Sequence, residues 1–589
     1  MEKDWTWSLK EMYESFEDPA FKKDLEAAEK EVERIKAWAK DNFASHDGEM
    51  RKIEEYIKIK QDFERFLKLI EFSYLSLSVN TEDAAAVKNL DILRRLFTEM
   101  ADPEVAFEKY VAGCEKLEDH IKASALIGEH TFVLREIKEN DKYQLSEKEE
   151  ALLAKLVNTG SGAWATMKEQ LAATLSMDME IEGEKKALPL SMIRNLARDE
   201  RPAVRKLAWE TELESYKKID KAVAASLNAI KGEVLTVVKL RGYESPLDMT
   251  VKQARMDMPT LNALLEAMKE YLPVFHKFFR KKAAMLGHKN GLPWYDLIAP
   301  VGEAKMKFTI EEAADFIVKN FNDFSGRLGG FARHAFDNRW IDVYPRNGKA
   351  GGAFCAGVPK LRQSRILTNF DGTFDAVSTL AHELGHGYHN YCLREASVLN
   401  TDFTMPIAET ASTFCETLVA RAAIKTATPA EALVIRENDI SGNAQIIVDI
   451  YSRFLFEDEL FRRRRNGPLT VDELNALMLD CQKQAYGDGL DHNYLNSGMW
   501  VNKTHYYYAS HNYYNFPYAY GQLFALGLYA CFLETGSAFV DKYDALLVAT
   551  GKNKLADIGR LVDIDVTKKD FWVSSLKVIE KEIEEFCAG

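Results

Sequence analysis

The sequence predicts a mainly α-helical protein with a small β-sheet beside one catalytic helix. Long stretches repeat apolar residues at three-to-four spacing, whereas alternating stretches are few and short. An H-E-x-x-H motif also follows a short strand candidate and a turn, so a strand–turn–helix unit delivers it. At 589 residues the chain exceeds the size of a single growing core. A helical N-terminal region over 1–195 and a chemistry-bearing region over 196–589 are expected.

Taken in order, Asp18-Pro19 starts a helix, with Asp18 as N-cap and Pro19 at the first position. Glu, Lys, Ala and Leu carry it to about Phe43. Between about Glu49 and Val79, Ile53, Tyr56, Ile57, Phe63, Phe66 and Ile70 keep helical spacing. Asn80-Thr81-Glu82-Asp83 breaks the pattern and Ala84–Met100 restarts it, giving an antiparallel helical array. Ser146 and Glu149 form a capping box for a helix to about Val157, ended by Gly160-Ser161-Gly162. From Thr174 to Leu190, alternation around Gly183 predicts a β-hairpin.

Asp199-Glu200-Arg201-Pro202 opens long helices running past Lys239, and glycines and prolines punctuate further helices up to Leu297. Thr309 with Glu312 caps Ile310–Phe324. Trp340–Tyr344 alternates and predicts a strand, as does Ile366–Phe370. Between them, Gly348-Lys349-Ala350-Gly351-Gly352-Ala353-Phe354-Cys355 is a glycine-rich turn entering an extended segment. It lacks the order of a phosphate loop, which excludes a nucleotide site. Its glycines suit a close approach by another backbone, such as a substrate at a sheet edge, and equally a plain hairpin turn. The motif helix then starts near Phe374.

Composition narrows the function classes. A net charge of −14 argues against nucleic-acid binding, which needs clustered Lys and Arg. The first residues lack an apolar signal region, and no uncharged apolar run is expected to reach membrane-spanning length. Seven scattered cysteines without a C-x-x-C pair predict reduced thiols in a cytoplasm, with neither a disulfide framework nor a sulfur-ligated zinc site.

His382-Glu383-Leu384-Gly385-His386 places two imidazoles four residues apart, on one helix face. Together they hold one Zn²⁺, and Glu383 at the edge of that face activates water beside it. A catalytic zinc site takes a third protein ligand. Glu409, in the first turn of a helix beginning after Pro406, supplies it across a loop of roughly 10–15 residues. Glu416, two turns on, suits an acceptor for a ligating histidine. His389 with Glu395 is the weaker alternative pair. Further on, Trp500 to Gly521 is dense in Tyr and His, which offer hydrogen-bond donors to a developing oxyanion.

At these residues the sequence resembles the M3 family of zinc metallopeptidases, in its oligoendopeptidase F branch. The resemblance is carried by W-S-L-K-E-M-Y-E-S-F-E-D-P-A-F from Trp7, G-K-A-G-G-A-F-C from Gly348 and H-E-L-G-H-G-Y-H from His382. It continues in A-E-T-A-S-T-F-C-E from Ala408, Y-G-D-G-L-D from Tyr486 and Y-Y-N-F-P-Y-A-Y-G from Tyr513. It implies a two-lobed helical ellipsoid enclosing a deep channel, walled by the N-terminal region and floored by one zinc ion. His382, His386 and Glu409 are implied as ligands and Glu383 as general base. Gly351, Gly352, Ala353 and Phe354 are implied to lie along bound peptide. The implied oxyanion-stabilising residues map to His505, Tyr507 and Tyr514, with Tyr513 and Tyr518 as rivals. Lys349-Ala350 departs from the Lys-Arg of many relatives.

The function expected is hydrolysis of internal bonds in short peptides, with oligopeptides as partners and neither nucleic acid nor membrane. A zinc carboxypeptidase is the nearer alternative, and a non-catalytic zinc-containing peptide-binding protein the remoter one.

Overall fold

Capping residues set the helix boundaries where the sequence places them. In the computed structural model, which describes residues 4–302 and 306–588, the Asp18 carboxylate accepts from the Ala20 amide and Pro19–Asn42 follows. Ser146–Glu149 and Thr309–Glu312 both close as capping boxes, starting Glu147–Thr159 and Ile310–Phe324. The fold is mostly helical, with two small sheets among the described residues.

The predicted hairpin forms. Strand β1 (Ser176–Ile181) pairs antiparallel with β2 (Glu184–Pro189). Its two-residue turn puts Glu182 and Gly183 at φ 57° and 81°, the left-handed pair such a hairpin requires. The second sheet has β3 (Ile341–Asp342), β4 (Phe354–Val358) and β5 (Gln363–Leu367) in the order β3-β5-β4. β3 runs parallel and β4 antiparallel to the central β5, so β4 is an edge strand.

Both expected strands here are displaced. Only Ile341 and Asp342 of 340–344 pair in register. β5 ends at Leu367 because Thr368 and Phe370 turn their amides onto the carbonyls of Asp342 and Val343, at 2.9 and 3.0 Å.

The helices from Pro19–Asn42 to Thr131–Asn140 enclose one core, built on Phe21, Ile35, Ile53, Tyr56, Phe72 and Leu134. Val358 and Leu367 belong to the same core, so these helices seat directly on the second sheet. Leu175 and Leu190 instead pack with Tyr216, Leu474, Trp500 and Tyr507. The third and largest core surrounds the motif helix, Phe374–Leu393.

One helix corrects the expectation about apolar runs. Phe516–Lys552 is long and apolar enough, by length and composition, to cross a membrane. Within it, the helix Phe516–Thr535 buries Phe516, Leu523, Phe524 and Leu528 in the largest core, where Tyr520 and Phe524 also meet Trp572 and Phe571 of Lys569–Ala588. A helix that is apolar all round fits the middle of a large core.

Candidate metal and catalytic centre

Thr373 caps the motif helix by accepting from the Ala376 amide, and the helix runs on to Leu393. His382 and His386 project from the same face, with ring centroids 4.9 Å apart. The chain returns through residues 394–404 to a four-residue helix, Met405–Ala408, and then to Thr410–Thr426. Glu409 sits at the joint of these two helices, slightly different from the expected first turn of one continuous helix. Its backbone (φ −90°, ψ 4°) leaves helical geometry there.

Gly385 lets the two helices meet. A Cβ at that position would lie 2.5 Å from the Ala411 carbonyl oxygen and 2.6 Å from Ser412 Cα. No side chain fits such a gap, so the H-E-L-G-H glycine brings Glu409 up to the histidines. Glu409 Oε2 lies 3.2 Å from His382 Nε2 and 3.3 Å from His386 Nε2. The three ligand atoms all fall within 4.8 Å of one another. Tetrahedral coordination at about 2.0–2.2 Å needs ligand separations of this size, so the residues fit a zinc-class ion.

The opposite ring nitrogen, His382 Nδ1, lies 3.3 Å from Glu416 Oε2, the position expected for an outer acceptor. Ser378 Oγ donates to Glu416 Oε1 at 3.2 Å, and Ser412 Oγ donates to Glu409 Oε2 at 2.8 Å. Burial works against an imidazolium at His382, but Glu409 and Glu416 outweigh it and push its pKa up to about 10. Burial likewise opposes ionisation of Glu409, yet the two histidines hold its carboxyl well below the usual range. Glu383 is buried beside them, and desolvation raises its pKa against the pull of His382 and His386.

These groups open onto a cavity of about 410 Å³ lined also by Ala353, Phe354, Cys355, Asn390 and Phe403. Of the expected substrate segment, Ala353 and Phe354 therefore reach the site. Gly351 and Gly352 are exposed in the lead-in to β4, where Asn369 Nδ2 donates to the Gly352 carbonyl at 2.8 Å. Lys349 anchors this lead. Its ammonium is buried against Asp342 Oδ1 at 2.7 Å and the Tyr344 carbonyl at 2.9 Å. The alternative ligand pair does not assemble. His389 Nε2 is 2.8 Å from Thr550 Oγ1, and Glu395 pairs with Arg362 at 2.7 Å.

The aromatic stretch divides. Tyr507 is fully buried and its hydroxyl donates to the Trp500 carbonyl at 2.9 Å, inside the core that also holds Leu190 and Tyr216. That proton is committed, so Tyr507 is corrected to a packing residue. Tyr513 is likewise committed, to Asp458 Oδ1 at 2.9 Å.

His505 and Tyr514 do come together, with ring centroids 4.5 Å apart, and Tyr514 lies 5.9 Å from Tyr518. Asn515 Oδ1 already accepts from Arg453 and lies 2.9 Å from His505 Nδ1, so Nδ1 carries the ring hydrogen. Burial lowers the His505 pKa, keeping the ring neutral and leaving Nε2 an acceptor.

Tyr518 is the residue that sequence reasoning left as a rival. Burial raises its pKa, its hydrogen bond with Tyr514 adds to that, and the nearby Glu409 charge contributes less. A signal was present in Y-A-Y-G. Gly521 lies one turn beyond Tyr518, and a Cβ there would meet the Pro406 carbonyl oxygen at 3.1 Å and Glu409 Cβ at 3.5 Å. The face of Phe516–Thr535 that bears Tyr518 thus packs on the Glu409 joint.

Two imidazoles and a carboxylate converging beside a buried glutamate and an edge strand define a metal-dependent peptidase. Comparison with known proteins makes the assignment specific. The chain belongs to peptidase family M3, whose profile matches residues 195–578, and an Oligopeptidase F profile matches 113–176. Oligopeptidase PepF of Bacillus subtilis is 24% identical, over 98% of this chain and 86% of its own. An oligoendopeptidase F homolog of Borreliella burgdorferi is 22% identical, over 98% and 97%.

Among solved structures, a candidate peptidase from Chlamydophila abortus superposes with TM-score 0.86 at 20% identity, covering 99% of this chain and 98% of its own. Oligoendopeptidase-F from Enterococcus faecium gives TM-score 0.71 at 18% identity, covering 96% and 98%. The mostly helical fold and the resemblance to family M3 are thereby borne out.

Proposed function

We propose that this chain is a zinc-dependent oligoendopeptidase that hydrolyses internal bonds of short, unstructured peptides. The observation that carries the reading is the meeting of His382, His386 and Glu409 in a cavity lined by the first residues of an edge strand. The donor set, two imidazole nitrogens and one carboxylate oxygen, suits zinc with one position left over. Zinc held there supplies Lewis acidity, which polarises a carbonyl and acidifies water.

The chain's own residues do the rest. Glu383 takes the proton of the attacking water and passes it to the leaving amine nitrogen. Peptide enters as an added strand along β4, with Ala353 and Phe354 beside the scissile bond and Gly351 and Gly352 keeping the approach open. The Tyr514–Tyr518 pair donates to the developing oxyanion with the one phenol hydrogen that their mutual hydrogen bond leaves free, and His505 Nε2 accepts from a phenol or a substrate amide. The 1–195 region walls the channel over 196–589. Seven free thiols among the described residues suit a reducing cytoplasm.

The test is Glu383→Gln, assayed on a fluorogenic peptide blocked at both ends. Turnover should fall about 10³-fold with zinc per chain unchanged. Near-normal cleavage by this variant removes Glu383 from its role. Failure of the wild type to cut blocked peptides removes the endopeptidase reading.

A further inference from the structure

The N-terminal helices hold a second set of metal-binding side chains, far in sequence from the motif. Glu49 opens the helix Glu49–Phe63, Cys114 caps the end of Ala101–Gly113, and His120 lies on Leu117–Ala123. Three helix ends thus bring one carboxylate, one thiol and one imidazole to a point. Cys114 Sγ and His120 Nε2 each lie 3.0 Å from the same oxygen, Glu49 Oε2. All three ligand atoms fall within 4.8 Å of one another, as do those of His382, His386 and Glu409.

The other carboxylate oxygen, Oε1, lies 2.8 Å from His46 Nδ1. The His46 ring stacks on Tyr110 with centroids 4.6 Å apart and planes at 5°. His46 thus fixes the Glu49 carboxylate from outside, as Glu416 holds His382. Cys114 is fully buried, while Glu49 and His120 are mostly buried.

We propose that Glu49, Cys114 and His120 form a second binding site for a zinc-class divalent cation, clamping three helix ends of the N-terminal region. Without the ion, the thiol and imidazole hydrogens converge on one carboxylate oxygen. A cation replaces those hydrogens as the shared partner. On binding, the Cys114 S–H bond breaks and its proton leaves to solvent, the His120 ring gives up its Nε2 hydrogen and takes one from solvent at Nδ1, and the freed sulfur and Nε2 lone pairs bond the ion. Nitrogen, sulfur and oxygen together suit zinc. Zinc bond lengths of about 2.0–2.3 Å set tetrahedral ligand separations near 3.3–3.6 Å, so the two 3.0 Å pairs need shift by only a few tenths of an ångström. The seven cysteines give no hint of this in their spacing, because Cys114 has no cysteine partner and its co-ligands come from separate helices. The proposal departs from the expectation that no zinc site here uses sulfur, and the cobalt experiment decides between them.

Sulfur separates this site from the catalytic one, whose ligand set has none. The full-length protein, stripped and reloaded with Co²⁺, should bind two equivalents per chain and show a thiolate-to-cobalt charge-transfer band in the near ultraviolet. Cys114→Ser should abolish the band and drop the metal content from two equivalents to one, with peptide hydrolysis retained. His386→Ala should also drop to one equivalent but keep the band. Wild-type protein that binds a single equivalent without the band overturns the proposal, as does a band that survives Cys114→Ser or disappears in His386→Ala.

Discussion

The two candidate metal clusters among the described residues share a plan and differ in construction. In each, a single carboxylate oxygen lies 3.0–3.3 Å from two other ligand atoms, and an outer group fixes the set. The catalytic trio takes two ligands from one turn of one helix and the third from a helix joint that Gly385 allows to approach. The N-terminal trio takes every ligand from a different helix. A mid-helix pair is rigid by backbone geometry alone, whereas ligands at helix ends depend on the packing of the whole N-terminal core. The first arrangement suits chemistry, which requires fixed positions. The second suits a clamp, whose binding energy reports on folding.

The comparison implies that groups serving a reaction attend only the catalytic trio. Tyr518→Phe removes the donor packed on the Glu409 joint and should lower kcat about 10²-fold with little change in KM. Tyr507→Phe, buried on the Trp500 carbonyl, should leave kcat alone and cost about 1–3 kcal/mol of stability. Steady-state kinetics with urea unfolding separates the two. Equal kcat in both variants would place the oxyanion donor elsewhere.

The outer groups provide a finer contrast. Glu416→Gln should weaken catalytic-site metal affinity about 10- to 100-fold, read by competition against a chelator. The equivalent held by Cys114 should be untouched. A parallel loss at both sites would mean that the clusters communicate, contrary to their separate cores.

What could be read from the sequence follows the same division. His382, His386 and Glu383 were legible because helical periodicity turns a four-residue spacing into a geometry. Glu409 was legible as a carboxylate one loop away, though not as a helix joint, because the break depends on the crossing at Gly385. The capping boxes at Ser146 and Thr309 and the hairpin at Gly183 are local, and they formed as expected. Positions set by long-range packing were not legible. β5 stops where Thr368 turns toward Asp342, and Tyr507 rather than Tyr518 is turned into a core. The Glu49–Cys114–His120 cluster is wholly of this kind. Cys114 and His120 lie 65 and 71 residues beyond Glu49, on helices of their own, and share no periodicity with it.

The smallest effect expected comes from a histidine of the motif helix that holds no cation. Two carboxylates push His382 up to about 10, while burial beside the His386 charge pulls His389 down to about 3. The hydrogen-bond network explains the second value. The Thr550 hydroxyl donates to the Leu547 carbonyl, so it accepts from His389 Nε2–H. His389 Nδ1 is buried with no hydrogen-bond partner among the described residues. A second proton would have to sit on that nitrogen, facing no acceptor. The unfolded chain therefore binds a proton below its ordinary pKa of 6.5, and the folded chain resists binding it until about 3. Stability is full above pH 6.5 and declines as pH falls through that window, by at most about 1.4 kcal/mol per pH unit for one proton. In metal-loaded protein, His389→Gln should flatten this decline between pH 6.5 and the onset of metal loss. Denaturant titrations at stepped pH measure it. An unchanged slope in the variant would mean that His389 takes its proton within the fold, and the contrast between the two imidazoles would fail.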